Sequence, residues 1–187
     1  MASACLPTMF KAVEIDGVPY WDGGYMGNPV LFPFIDDSPS DDIVIVQINP
    51  LLRPGTPKQA RDIQNRLNEI TFNASLLRDL RAIQLIDRLI DQGALSEAEY
   101  RRIVLHMIHD GCADMLEMGA SSKLNSEWAF LTHLRDLGRR AADAWLTQNF
   151  DAIEDRSTFD LEALFGDFGA PAGENILRLN GLAADRP

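Results

Sequence analysis

The sequence predicts an α/β fold, with two or three strands in the first third and a mostly helical stretch after them. Three observations carry that expectation. Ile43-Val44-Ile45-Val46-Gln47-Ile48 is a continuous, largely β-branched run, the composition of a parallel strand covered on both faces. Val13 and Ile15 alternate with polar neighbours ahead of Asp16-Gly17, and Tyr20-Trp21 resumes an extended segment, which reads as a hairpin. Residues 57–150 carry apolar positions at steps of three and four, the spacing of helices with one buried face.

Composition sets the outer bounds. The 187 residues suffice for one good core or two small ones, and 46% hydrophobic with 24% charged residues is ordinary for a globular protein. A net charge of −11 argues against a broad nucleic-acid footprint, because phosphate contacts need Lys and Arg. It also disfavours purely electrostatic adhesion to anionic membranes, though not a local apolar docking patch. Cys5 and Cys112 make no disulfide framework, so a reducing compartment fits, in the cytoplasm or at a membrane periphery. No apolar run reaches transmembrane length, and no signal-peptide pattern or internal repeat is present.

Along the chain, glycine in Asp16-Gly17 accepts positive φ at little cost, which suits a tight turn. Pro29 and Pro33 keep residues 26–34 from being helical for long, and residues 36–42 read as an acidic, solvated loop. The β-branched run implies neighbouring strands, too few of which are evident for a doubly wound sheet. Thr56-Pro57-Lys58-Gln59 is a helix-start signature. Ala60, Ile63, Leu67, Ile70, Ala74 and Leu77 then mark a buried face that shifts phase into Leu80, Ile83, Ile86 and Ile90, with a break expected near Thr71–Asn73 and a stop at Gly93. Ser96-Glu97-Ala98-Glu99 reads as a capping box opening a second helix, with Tyr100, Ile103, Val104, Met107 and Ile108 on one side and Met115 and Met118 continuing it past Gly111. After a polar loop, Ser126 caps a third helix with a core stripe from Trp128 through Leu131, Leu134, Leu137 and Ala141 to Trp145. Residues 151–165 add a short helix, and the Gly-, Ala-, Pro- and Asp-rich remainder reads as a loose tail. The expected units are residues 1–52, 53–150 and 151–187.

The chemistry concentrates at Asp22. It ends the extended segment and precedes Gly23-Gly24, which let the backbone bend and another group come close. A carboxylate so placed can act as a general base. On spacing alone, an Asp that merely accepts backbone N–H bonds in a turn is the simpler reading.

More residues enter when the flanks are included. Ala2-Ser3-Ala4-Cys5-Leu6-Pro7, Phe10, Val13-Glu14-Ile15-Asp16-Gly17, Tyr20, Asp22-Gly23-Gly24 and Asn28-Pro29-Val30 together resemble, over residues 1–35, the closing part of the bacterial patatin-like phospholipase catalytic domain. The pattern there is a small-residue segment ending in proline, a hairpin, a DGG or DGA triplet and an Asn-Pro turn. The resemblance implies a lipid acyl hydrolase with a Ser–Asp dyad on an α/β/α sandwich, using no cofactor or metal, of which this chain would be a C-terminal remnant with a helical extension. It places the catalytic carboxylate at Asp22 and gives Gly23, Gly24, Asn28 and Pro29 structural roles. The family's serine lies in a G-x-S-x-G elbow upstream of the triplet, after a glycine-rich oxyanion loop. This chain carries neither; its Gly-x-Ser, Gly119-Ala120-Ser121, continues as Ser122-Lys123. The expected partners are therefore a lipid or ester substrate and the N-terminal half of the catalytic domain. Oligomeric state is not indicated. The alternative is a non-catalytic helical interaction module that kept a degenerate sheet edge.

Other clusters have simpler explanations. His106, His109, Asp110 and Cys112 are close in sequence, and the two histidines would share a helix face, but no second ligand cluster accompanies them and His133 stands alone. No motif puts a base beside Cys112. Ser121 and Ser122 near Lys123 suggest a Ser–Lys pair, yet loop and capping bonds account for them. Arg101-Arg102 and Arg139-Arg140 read as surface charges.

Overall fold

A computed structural model describes residues 1–51, 55–109 and 118–166, excepting the side chains of Ala120 and Ser121. The expectations at Asp110, Gly111, Cys112 and Met115, at the Ser121 hydroxyl and in the tail after Gly166 lie outside the described residues. The fold is mixed α/β, with one antiparallel and one parallel two-stranded sheet among the described residues.

The antiparallel sheet is the expected hairpin. β1 (Val13–Ile15) pairs with β2 (Val18–Tyr20), and Val13 faces Tyr20. Asp16 at φ 53° and Gly17 at φ 78° both take the left-handed region, as a two-residue turn between twisted strands requires. Ile15, Val18, Tyr20 and Trp21 are each about half exposed, so nothing described covers the hairpin's apolar side chains. A short helix, α1 (Phe32–Asp37), follows with Pro33 in its first turn, where a missing N–H costs nothing. It takes Asp36 and Asp37 out of the expected loop.

The parallel sheet pairs β3 (Asp42–Gln47) with β4 (Val104–His109), Ile43 opposite Leu105 and Ile45 opposite Met107. β4 is where helix was expected. Tyr100, Ile103, Val104, Met107 and Ile108 do fit steps of three and four. But residues 103–108 are also a nearly unbroken apolar run, and the edge of β3 offers it a full ladder of hydrogen bonds. Ser96 closes only a turn, its Oγ accepting the Ala98 N–H at 3.2 Å. Arg101, expected as a surface charge, donates to the Ser38 and Ser40 carbonyls at 2.6 and 2.7 Å and pins the loop leading into β3.

The long helix α2 (Ala60–Asp91) opens three residues later than the sequence suggests. Gln59 is extended at its N-cap, and no side chain caps it, so Thr56 does not serve that role. It runs unbroken through Thr71–Asn73. Thr71 Oγ1 shares the Leu67 carbonyl one turn back at 2.8 Å without breaking the helix, and the Asn73 amide reaches away to the Pro50 carbonyl and Gln47. Gly93, at φ 70°, ends the helix as expected.

The core lies between α2 and the inner face of the parallel sheet: Ile43, Ile45, Leu105 and Met107 meet Leu76, Leu80 and Ile83, closed by Leu31, Ile103 and Leu164. The second apolar phase of α2 is buried, whereas the first is not. Ile63, Leu67 and Ile70 are 44–52% exposed, because that half of α2 turns Glu69, Asn73 and Leu76 inward. The next long helix, α3 (Trp128–Asn149), has Glu127 at its N-cap rather than Ser126. Its stripe is core only in part: Leu137 is buried, while Trp128 is 76% exposed. A short α4 (Leu161–Phe165), capped by Asp160 Oδ1 on the Ala163 N–H at 2.9 Å, packs against α2. Among the described residues, no helix is long and apolar enough to cross a membrane.

Candidate functional site

The small-residue segment at the start of the chain runs beside the end of the hairpin. The Asp22 N–H donates to the Cys5 carbonyl at 2.9 Å, and Cys5, a buried free thiol, donates to the Lys11 carbonyl at 3.1 Å. Trp21 Nε1 donates to the Phe10 carbonyl at 3.2 Å. These bonds fix the chain on both sides of Asp22. A 3-10 turn, Gly23–Tyr25, follows at once, and Asp22 is its N-cap: Oδ1 accepts the Gly24 N–H at 2.8 Å.

Asp22 is half-buried, and among the described residues no donor reaches its Oδ2. One oxygen orients the group, and the other is free to accept a proton. Neither glycine takes positive φ, and only Gly24 is needed for space. A Cβ on Gly24 would stand 3.1 Å from Asp22 Oδ1 and 3.6 Å from the Phe72 ring, whereas one on Gly23 would meet nothing within 4 Å. Gly24 lets the carboxylate fold back onto the turn, and Gly23 leaves an open approach.

Asn28 and Pro29 anchor the stretch after the turn to α2. The Asn28 N–H donates to Ser75 Oγ at 2.9 Å, the Asn28–Pro29 bond is cis, and the Leu31 N–H donates to Asp79 Oδ2 at 3.1 Å. The structure thus brings Asp22, Gly23 and Gly24 into one turn, with Asn28 and Pro29 as its mooring.

Asn28 and Pro29 also border a groove of about 750 Å³ along the free edge of β3, walled by Leu31, Phe34, Val44 and Val46. Lys123 stands at one end, its ammonium 4.5 Å from the centre of the Phe72 ring. Ser122, expected in a loop role, donates from Oγ to the Gly119 carbonyl at 2.7 Å.

Sequence reasoning missed a second constellation. His106 is fully buried; its Nε2 lies 2.8 Å from Asp42 Oδ1 and its Nδ1 2.9 Å from Thr158 Oγ1. Asp42 Oδ1 also accepts the Glu154 N–H at 2.9 Å, and Trp145 meets the imidazole edge-on at 5.5 Å. Desolvation pushes the Asp42 carboxyl up, but the bonds from the Glu154 N–H and the His106 ring outweigh it, and its pKa lies below the ordinary carboxylate value. An ionised Asp42 can only accept, so Nε2 carries a proton, and in the neutral ring Nδ1 accepts from the Thr158 hydroxyl. The order Thr–His–Asp is that of a nucleophilic relay, but the ring has no exposure and both its nitrogens are taken. The cluster fastens the segment after α3 to the sheet. Thr158 and Phe159 N–H groups reinforce it on the Leu105 carbonyl, and Ser157 Oγ accepts the Leu105 N–H.

The metal idea at His106 and His109 fails on geometry. On a strand, residues three apart face opposite sides, and His106 is already engaged. Among the described residues, no group of three His, Cys, Asp or Glu could hold a metal ion. Comparison with known proteins adds no relative: no family model, no curated protein and no solved structure matches the chain.

Proposed function

We propose that this chain is the C-terminal part of a patatin-like lipid acyl hydrolase and supplies the carboxylate of its Ser–Asp dyad. The observation that carries the reading is the state of Asp22: fixed by backbone on both sides, oriented through Oδ1, free at Oδ2, and open on its Gly23 side. In the reaction, a serine from a segment this chain does not carry attacks the ester carbonyl, and Asp22 takes the hydroxyl proton. The C–O bond to the alcohol breaks and the departing oxygen receives that proton. Water then attacks the acyl-enzyme, again giving its proton to Asp22, and the acid and free serine result. This acyl transfer needs no cofactor. The buried free thiol of Cys5 suits a reducing compartment, so the enzyme works in the cytoplasm or at the membrane periphery.

The unpaired edge of β3 supports the same reading. Among the described residues β3 pairs with β4 alone, and the edge left free carries no lysine or proline of the kind that usually protects one. A further parallel strand from the rest of the catalytic domain would cover that edge and fill the groove beside it.

The test is turnover of short p-nitrophenyl esters by the complete enzyme. Asn keeps the size of Asp22 and its acceptor oxygen but is no base near neutral pH, so Asp22→Asn lowers kcat by roughly 10²-fold or more. Asp36→Asn, on the exposed side of α1, leaves it unchanged. Equal rates for the two variants would end the assignment. The chain by itself, lacking nucleophile and oxyanion donors, shows no turnover above buffer.

A further inference from the structure

A second cavity lies on the other side of the Asp22 turn. Thr71, Ser75 and Arg78 fall at i, i+4 and i+7 of α2, on one face of the helix. With Ala74 and residues 24–27 they line an open cavity of about 300 Å³. Arg78 is the one charged residue lining it, and among the described residues no ion pair holds its guanidinium. Ser75 Oγ accepts the Asn28 N–H, which leaves its own O–H to donate. Thr71 has spent its proton on the Leu67 carbonyl. The side-chain donors of the α2 face left to a ligand are therefore a guanidinium fork and a hydroxyl, Tyr25 adds a phenol to the lining, and no carboxylate lines the cavity to oppose an anion.

We propose that this cavity is a phosphate subsite, in which the Arg78 fork takes two oxygens of a phosphate ester and the Ser75 hydroxyl a third. A guanidinium matches phosphate bidentately, and a tetrahedral group has oxygens left over for a donor one helical turn away. Charge complementarity favours the assignment: in a chain of net charge −11 an anion settles only where a cation stands unopposed. The shared chemistry is a phosphate group, carried by a lipid headgroup or by a free phosphate. The site goes beyond the acyl-hydrolase reading, since binding needs neither Asp22 nor a nucleophile.

The experiment titrates the ¹⁵N-labelled chain with glycerol 3-phosphate and follows the Gly24, Gly27 and Ser75 amides and the Arg78 Nε–H. The expected result is one saturable shift shared by these groups. Arg78→Gln weakens it at least about tenfold, and Arg78→Lys, which keeps the charge but not the fork, weakens it less. The Leu80 and Leu105 amides stay in place in both variants, which reports an intact core. The titration needs no turnover, so failure of the catalytic reading, seen in kcat of Asp22→Asn, is told apart from failure of this one, seen in the Arg78 variants. Shifts scattered over Arg139 and Arg140, or binding unchanged in Arg78→Gln, overturn the proposal. Inorganic phosphate and phosphatidylglycerol vesicles then separate the sources. Tighter binding of vesicles assigns a lipid headgroup, binding of inorganic phosphate alone assigns a free phosphate, and Arg78-dependent binding of neither overturns the site.

Discussion

Asp22, just after β2, and Asp42, the first residue of β3, are both carboxylates beside a strand, and they are held in opposite ways. Asp42 is nearly buried, with 11% of its side chain exposed, and one of its oxygens takes both a buried imidazole and a backbone N–H. Asp22 is half-buried, has one backbone N–H on one oxygen, and stands beside a glycine with nothing within 4 Å of its missing Cβ. Hydrogen bonds to the charged form, in a site closed to substrate, turn a carboxylate into a fastener. A carboxylate oriented by one oxygen and open at the other can still accept a further hydrogen bond. Proximity of Asp, His and Thr here marks a fastener closed to substrate, whereas the open carboxylate oxygen is at Asp22.

The comparison is sharpened first by the sheet that Asp42 fastens. Ile45 is 4% exposed and its neighbour Val46 67%, so Ile45→Ala should cost about 3 kcal/mol of stability and Val46→Ala less than about 0.5, measured by urea unfolding. Comparable losses at both would show that β3 is covered on both faces. Next, His106→Ala should cost about 2 kcal/mol, because Asp42 and Thr158 lose a shared partner inside the protein. Unchanged stability would make the cluster ornamental.

The pH dependence follows from Asp42. Its folded pKa lies below the ordinary 3.8, so its contribution is fully present above that value and is lost as pH falls through the lower folded value. Acid unfolding of wild type should therefore be steeper below pH 3.8 than that of Asp42→Asn, which has no proton to bind there. Parallel acid limbs for the two would remove Asp42 from the account.

How much of this was legible in the sequence depends on the range of the interactions. The hairpin, the Asp22 turn and the stop at Gly93 are set by near neighbours, and each reads directly. β3 reads as a parallel strand from its β-branched run. The run also suggests burial on both faces, whereas Val44 and Val46 on the outer face are 45% and 67% exposed and only the face of Ile43 and Ile45 is core. β4 does not read as a strand, because Ile103, Val104, Met107 and Ile108 satisfy both helical spacing and a short buried strand, and only the edge of β3 decides between them. The Asp42–His106–Thr158 cluster joins residues 64 and 52 positions apart, so no local pattern announces it. On α2, the period locates an apolar stripe but not what stands against it. Ile63, Leu67 and Ile70 are spaced like core residues and lie exposed. The Thr71, Ser75 and Arg78 face escaped the sequence reading, because only the turn at residues 24–27 makes it a cavity.

The most direct measurement sets the two carboxylates against each other in the complete enzyme, reading thermal midpoint and kcat per folded molecule for Asp22→Asn and Asp42→Asn. Asp22→Asn should keep the wild-type midpoint and lose roughly 10²-fold or more in kcat, while Asp42→Asn lowers the midpoint and keeps kcat. A folded Asp22→Asn enzyme turning over at the wild-type rate would contradict the account.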